Sequence, residues 1–104
     1  MPFSLAELEA RLTDPVLLDG GASLPPDAQQ LFDHAIALME RGEIRAAQKD
    51  AAGQWHAVPW VKRAILLGFR LGRVEEMTPT GGAFHFLDKH TFPTRAFRVE
   101  HGVR

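Results

Sequence analysis

The stretch GQWHAVPWVKRAILLGFRLG, from Gly53 to Gly72, decides the fold because it changes from a strand pattern to a helix pattern within a few residues. QWHAV is typical of a short strand. Pro59 is predicted to begin a helix, because a residue at the first helical position needs no backbone N–H. Gly72 is predicted to end this helix. One helix face carries a mainly apolar stripe made of Trp60, Val61, Ala64, Ile65, Leu67, Gly68 and Leu71.

The strand-like run before Pro59 is predicted to pair with the segment that precedes it. In EIRAAQKDAAGQWHAV, Ile44, Ala46 and Gln48 alternate with their neighbours, and DAAG supplies turn residues. We therefore predict a β-hairpin. It must pack on a helix, because an isolated hairpin is marginally stable in water.

A second main helix is predicted over residues 26–41. Its apolar residues recur at helical spacing from Leu31 to Met39, and Gly42 suits the left-handed residue that follows a helix. We expect this stripe to pack against the stripe of the helix that begins at Pro59. Burying such side chains contributes roughly 1.5–3 kcal/mol each.

The two ends of the chain are less regular. Ser4 and Glu7 form a capping box that predicts a short first helix, which stops before Pro15. Residues 14–27 are predicted to be a loop or a short turn-like connection. Near the C-terminus, AFHFLD and RAFRVE are candidate strands. The fold is therefore predicted to be α+β, with two main helices, a short first helix and a hairpin packed on the helices, in a single domain over residues 1–104.

Composition excludes several classes of protein. The net charge of −1 lacks the basic excess of a typical nucleic-acid-binding domain. No apolar run approaches the roughly 18 residues that a membrane span needs, and the first residues do not resemble a signal peptide. The absence of cysteine excludes disulfides, thiolate zinc sites and a Cys nucleophile. These observations predict a cytoplasmic protein with no membrane contact.

Histidine suggests a metal site, but the spacing does not support one. His85, Asp88, His90 and His101 occur within a short segment and match no established zinc pattern. We therefore predict no metal and expect the histidines to lie on the surface and in loops. No catalytic residue is predicted either, since the motifs of nucleophilic and nucleotide-binding enzymes are missing.

Two groups of basic residues remain as candidate binding elements. The helix over residues 59–72 carries Lys62, Arg63 and Arg70, and Arg73 directly follows it; this basic run could contact phosphates beside a stacking tryptophan. The favoured interpretation is a solvated helix face, with Trp55 and Trp60 as core and interface anchors. Arg95 and Arg98 flank Phe97 near the C-terminus, and an arginine fork suits a carboxylate.

The segment from Met39 to Leu71 resembles the N-terminal domain of tetrahydrodipicolinate N-succinyltransferase. The matching residues are Gly42, Arg45, Ala47, Lys49, Gly53, Trp55, Trp60, Lys62, Ala64, Leu66, Leu67, Phe69 and Arg70. Further on, FHFLDKHTF and AFRVEHGVR are similar to the family's Y-F-D-K and G-F-R-V-V-P segments. The likeness extends from about Pro26 to Arg104.

The resemblance implies a specific role. Members of this family transfer a succinyl group from succinyl-CoA to acyclic tetrahydrodipicolinate, in the diaminopimelate branch of lysine synthesis. They are trimers, and their acyl-CoA groove and catalytic acids lie in a left-handed parallel β-helix built from hexapeptide repeats. This chain contains no such repeat. We therefore expect it to bind no cofactor and to be inactive alone.

The resemblance also implies one site residue and a set of partners. The arginine of the G-F-R-V segment binds substrate, and it falls on Arg98, with Glu100 and His101 in place of the V-P pair. The expected partners are further copies of this chain or a β-helix-containing chain, with a dicarboxylate as possible substrate. The alternatives are a non-enzymatic interaction module and a nucleic-acid-binding module that uses the basic face of the helix over residues 59–72.

Overall fold

The computed structural model describes residues 3–18 and 23–104. Their elements are, in chain order, α1 (Leu5–Thr13), α2 (Pro15–Leu18), α3 (Ala28–Glu40), β1 (Ala47–Lys49), β2 (Trp55–Ala57), α4 (Pro59–Leu71), β3 (Val74–Glu76), β4 (Leu87–Lys89) and a 3-10 helix (Val99–His101). The helices and two antiparallel strand pairs confirm the predicted α+β class. The chain forms two compact units, the first ending at Leu71 and the second beginning at Gly72. The single domain over residues 1–104 stays a prediction.

Helix α1 begins and ends where the sequence predicts. The Ser4 hydroxyl accepts a hydrogen bond from the backbone N–H of Glu7 at 3.1 Å, and the Glu7 carboxylate accepts from the N–H of Ser4 at 2.8 Å. This reciprocal pair is a complete capping box, which satisfies two otherwise unpaired donors. The helix ends at Thr13 and buries Leu8 and Leu12.

The segment predicted to be a loop contains the short helix α2. Pro15 occupies its first position, and Oδ1 of Asp14 accepts a hydrogen bond from the N–H of Val16 at 3.0 Å. The carbonyl of Leu17 accepts a hydrogen bond from Nη1 of Arg70 at 3.1 Å. Local turn chemistry therefore extends into one helical turn here. Residues 19–22 of this segment lie outside the described residues.

Helix α3 is slightly shorter than predicted, because its first turn begins after the Pro-Pro-Asp run. Asp27 stands at the N-cap, but both of its carboxylate oxygens accept bonds from Arg11 at 2.7 Å. At the other end, Gly42 has φ of 75°. Its N–H donates to Met39, and the N–H of Glu43 donates to Leu38. These bonds form a Schellman motif and confirm the predicted role of Gly42.

Helix α4 spans the predicted residues, and α3 packs against α4 as predicted. The buried face of α4 consists of Val61, Ala64, Leu67 and Gly68, whereas Trp60 is half-buried. The buried face of α4 therefore begins at Val61, and Trp60 lies at its edge. The buried apolar residues of the described chain all lie in the first unit; they are Leu8, Leu12, Leu17, Ala28, Leu31, Phe32, Ala35, Leu38, Ile44, Val61, Ala64 and Leu67.

Strands β1 and β2 form the predicted hairpin, with Lys49 opposite Trp55. All six of their residues are exposed, and burial begins only outside them, at Ile44. Trp55 is 58% exposed, so the prediction of a core position for Trp55 is wrong. Its ring lies 5.3 Å from Nζ of Lys49, which is a cation–π contact. An interface role for Trp55 stays a prediction.

The second unit contains the antiparallel pair β3–β4, in which Val74 faces Lys89 and Glu76 faces Leu87. The candidate strand AFHFLD is confirmed only at its C-terminal end, where β4 begins. RAFRVE forms no strand and instead leads into the 3-10 helix. No described residue from Gly72 onward is buried.

Gly72 connects α4 to this unit, and its hydrogen side chain leaves room for a close approach. A Cβ at this position would lie 2.6 Å from both Cβ of Lys89 and Oγ1 of Thr91. The prediction that α4 ends at Gly72 is confirmed, and the missing side chain there leaves room for Lys89 and Thr91. None of the described helices has the length and apolar content required to cross a membrane.

Candidate functional site

Arg98 lies at the start of the 3-10 helix in the second unit, in an extended conformation. Its backbone N–H donates to Nδ1 of His101 at 2.9 Å. The ring of Phe97 meets the ring of His101 edge-on, with centroids 6.0 Å apart. His101 thus contacts the residues on both sides of the Phe97–Arg98 peptide bond and fixes the backbone that carries the Arg98 side chain.

The Arg98 guanidinium is accessible. Nε of Arg98 lies 3.2 Å from Oε1 of Glu100, and the two side chains are 74% and 66% exposed. An ion pair this exposed contributes at most about 1 kcal/mol, because water screens both charges. A ligand carboxylate can therefore displace Glu100 at small cost.

Arg95 has different neighbours from Arg98. Its guanidinium carbon lies 5.5 Å from the centre of the Phe97 ring. Among the described residues, the carboxylates of the second unit contact Arg73, His85 and Arg98. The two arginines that flank Phe97 thus have separate contacts, an aromatic ring for Arg95 and a carboxylate for Arg98.

The histidines of the suspected metal cluster have separate partners. Nδ1 of His90 accepts from the N–H of Arg73 at 2.9 Å, and Nδ1 of His85 lies 3.5 Å from Glu76. Within residues 3–18 and 23–104, no three His, Asp or Glu side chains are arranged to hold a metal ion. His34 departs from the expected surface position, since it is 5% exposed on α3 and stacks on Phe3 with ring centroids 6.1 Å apart.

The basic face predicted over residues 59–72 is partly used inside the protein. Arg70 donates to the carbonyl of Leu17, and Arg63 is half-buried. Arg73 lies in the second unit, 3.7 Å from Glu75. Lys62 is the exposed cation of α4. Within α4, Lys62 is thus the one fully exposed basic residue, so this helix does not present a row of exposed cations.

Asp50 organises the turn of the β1–β2 hairpin. Its Oδ1 accepts from the N–H groups of Ala52 and Gln54, both at 2.9 Å. Its Oδ2 lies 2.6 Å from Nε2 of His56. The pKa of Asp50 is lowered by the bond from Gln54 and then by the bond from His56, since both stabilise the carboxylate. The Asp50 carboxylate therefore serves to hold the hairpin turn.

The family model described as tetrahydrodipicolinate N-succinyltransferase N-terminal matches residues 16–71. The chain belongs to this family. Curated relatives named 2,3,4,5-tetrahydropyridine-2,6-dicarboxylate N-succinyltransferase, from Brucella ovis, Brucella canis and Brucella suis, are each 36% identical to it over 63 residues. The alignment covers 61% of this chain and 22% of the length of each relative.

The family match confirms the resemblance seen in the sequence and ends at Leu71, the last residue of the first unit. Arg98 lies outside the matched residues, so its substrate-binding role stays a prediction. Sequence reasoning did not identify Glu100 as the partner of Arg98. The signal was an acid two residues after an arginine, which is too common a spacing to indicate a contact by itself.

Proposed function

We propose that this chain acts as the N-terminal module of a tetrahydrodipicolinate N-succinyltransferase in diaminopimelate and lysine synthesis. In this role it presents Arg98 to a dicarboxylate substrate and joins an oligomer. The observation that carries the proposal is that the family match of residues 16–71 falls within the unit that contains the buried core. Succinyl-CoA binding and acyl transfer would belong to a β-helix, so the chain alone is inactive, and its site of action is the cytoplasm.

Arg98 supports the substrate-binding part of this proposal. Its guanidinium is exposed, its backbone is held by His101, and its carboxylate partner Glu100 is itself exposed. Arginine binds carboxylates through two parallel N–H bonds, which gives both affinity and orientation. One carboxylate of the substrate would replace Glu100 on Arg98, and the other would be held by the partner chain.

The exposed apolar side chains of the second unit support the assembly part. Phe84 is 76% exposed and Val99 is 90% exposed, and neither lies near a covering helix of its own unit. Covering each such side chain contributes roughly 1.5–3 kcal/mol. A surface of this kind is typical of a protein contact. Further copies of this chain, or a β-helix-containing chain, would cover it.

The substrate-binding part is tested with pimelate, a linear dicarboxylate, by following amide shifts in a two-dimensional NMR titration. We expect Arg98→Gln to weaken pimelate binding about tenfold, as expected for loss of a charged hydrogen-bonding group. Glu100→Gln should strengthen it, because the competing carboxylate is removed. Arg104→Gln is the matched control for lost charge. Equal weakening by the Arg98 and Arg104 substitutions would contradict a specific role for Arg98.

The assembly part is tested by sedimentation velocity, on the chain alone and mixed with a succinyltransferase β-helix that lacks its own N-terminal domain. Val99→Asp should reduce the associated fraction at least tenfold. Val16→Asp, which places the same charge at an exposed valine of the first unit, should leave it unchanged. Assembly would be contradicted if the chain stayed monomeric when its own concentration was raised 100-fold and also when the β-helix protein was present in 100-fold excess. The basic-face alternative is tested by adding a single-stranded oligonucleotide to the chain, and salt-dependent co-sedimentation would support it.

A further inference from the structure

A cleft in the second unit is lined by Pro79, Phe86, Thr94, Arg95 and Ala96 and has a volume of about 390 Å³. We refer to it as the Arg95 cleft. Its size lies near the lower end of the range of small-molecule pockets, roughly 300–1,000 Å³. It differs in position and chemistry from the Arg98–Glu100 pair, since neither of those residues lines it.

Hydrogen bonds fix one wall of the Arg95 cleft. The carbonyl of Phe86 accepts from the N–H of Met77 at 2.9 Å, and the N–H of Phe86 donates to Oγ1 of Thr78 at 3.1 Å. The N–H of Gly82 donates to the carbonyl of Pro79 at 2.9 Å and closes the intervening turn. These bonds fix the backbone at Phe86 and Pro79, the two residues that supply the apolar wall of the cleft.

Arg95 is the charged group of the cleft. The described ion pairs do not include Arg95, and none of the residues that line the cleft has a carboxylate. Its guanidinium lies 5.5 Å from the Phe97 ring centre, a contact that orients the planar group. Arg95 is exposed, and its fork of N–H donors has no carboxylate among the residues that line the cleft, so an anion that enters the cleft can pair with it beside the apolar wall.

We propose that the Arg95 cleft binds a small free carboxylate with an apolar, ring-sized body. The carboxylate pairs with the Arg95 guanidinium, and Thr94, which lines the same cleft, offers a hydroxyl as a further donor. The body packs on Phe86 and Pro79. A monoanion fits better than a phosphate, since one arginine in a mainly apolar lining supplies one positive charge.

The test is an NMR titration of the whole chain with 3-phenylpropionate, with its neutral amide as the charge control. We expect saturable shifts that centre on residues 79, 86 and 94–96, and at least tenfold weaker binding of the amide. Arg95→Gln should weaken the carboxylate about tenfold. Phe86→Ala should weaken both compounds by a similar factor, because it removes the apolar wall.

Two controls make the result decisive. Arg98→Gln should leave 3-phenylpropionate binding within twofold, which separates this cleft from the proposed pimelate contact. An acetylated dipeptide that ends in phenylalanine tests whether the carboxylate belongs to a peptide terminus instead. The proposal is overturned if Arg98→Gln weakens binding as much as Arg95→Gln, if the amide binds as well as the acid, or if the dipeptide binds more than tenfold tighter.

Discussion

The two units of the chain differ in that the first buries many of its described apolar side chains and the second buries none. All twelve of the buried apolar residues among those described lie before Gly72, whereas seven large apolar residues from Val74 to Val103 are exposed. The first unit has three helices of nine or more residues to cover one another, and the second has two three-residue strands and one turn of 3-10 helix. Similar residues are thus buried or exposed according to whether a covering surface exists.

This difference assigns separate roles to the two units. A two-stranded sheet with no buried residue has little stability of its own, since burial supplies most of the free energy of folding. The first unit therefore provides the stable scaffold, and the second provides surface. Family membership follows the first unit, while both candidate ligand contacts, Arg98 and Arg95, lie in the second.

Shortening a leucine should lower the free energy of unfolding far more in the first unit than in the second. Leu31 on α3 is fully buried, whereas Leu87 on β4 is 65% exposed. Leu31→Ala should lower the free energy of unfolding by about 3 kcal/mol, through lost burial and a cavity. Leu87→Ala should change it by less than about 0.5 kcal/mol. Urea denaturation of both variants checks the prediction, and equal losses would contradict the division into scaffold and surface.

Substitution of two glycines by alanine distinguishes backbone strain, expected at Gly42, from steric crowding, expected at Gly72. Gly42→Ala places a Cβ on a residue with φ of 75° and should cost about 1 kcal/mol of global stability. Gly72→Ala places a Cβ 2.6 Å from Lys89 and should break the β3–β4 pairing, at a local cost of roughly 1–3 kcal/mol.

Amide chemical shifts distinguish these two outcomes. In Gly72→Ala, shifts of residues 73–91 should move and those of residues 28–40 should stay. In Gly42→Ala, the shifts should move around the C-terminus of α3, and the midpoint of denaturation should fall. A Gly72→Ala variant with an unchanged β3–β4 spectrum would show that the close approach is not required.

The smallest effect concerns the ion pair within the first unit. The bond from Arg11 holds the pKa of Asp27 below its ordinary value of ~3.9. A lowered folded-state pKa stabilises the fold above the unfolded pKa, and the stabilisation is lost as pH falls through the folded pKa. Asp27→Asn should therefore cost about 0.5–1 kcal/mol at pH 7, a small value because the pair is partly exposed, and this cost should shrink as the pH falls through the lowered pKa.

The control for this pair is Asp33→Asn, which removes a carboxylate from the same helix. Asp33 accepts only a side-chain bond from Gln29 among the described contacts, and it is exposed. Denaturation midpoints at pH 7 and pH 3 give the comparison. A loss at pH 7 that is equal for both variants would show that the Arg11–Asp27 geometry contributes nothing specific.

The sequence predicts the first unit well because its signals are local. The capping box at Ser4, the proline at position 59 and the glycine at position 42 each act within one helical turn, and each helix end followed them. The pairing of α3 with α4 was predictable because each has one apolar stripe. The added turn α2 was missed because a four-residue helix has no periodicity to detect.

The features that were predicted less well depend on contacts between residues far apart in the sequence, for which the sequence gives weaker signals. Strand β3 pairs with β4 across ten intervening residues, so no short turn indicated it. Trp55 looks like a core residue by type, and its exposure follows from the absence of a covering surface over β2. Arg98 was selected by a motif, but its pairing with Glu100 required the folded geometry.

In this division of the chain, residues before Gly72 form the stable scaffold and residues from Gly72 onward form surface. Native-state hydrogen exchange of the chain alone, measured residue by residue, tests the division. We predict that amides of α3 and α4 exchange only through global unfolding, whereas those of β3 and β4 exchange at least 100-fold faster. Protection of β3 and β4 equal to that of α3 would contradict the account, because it would show that both units share one cooperative core.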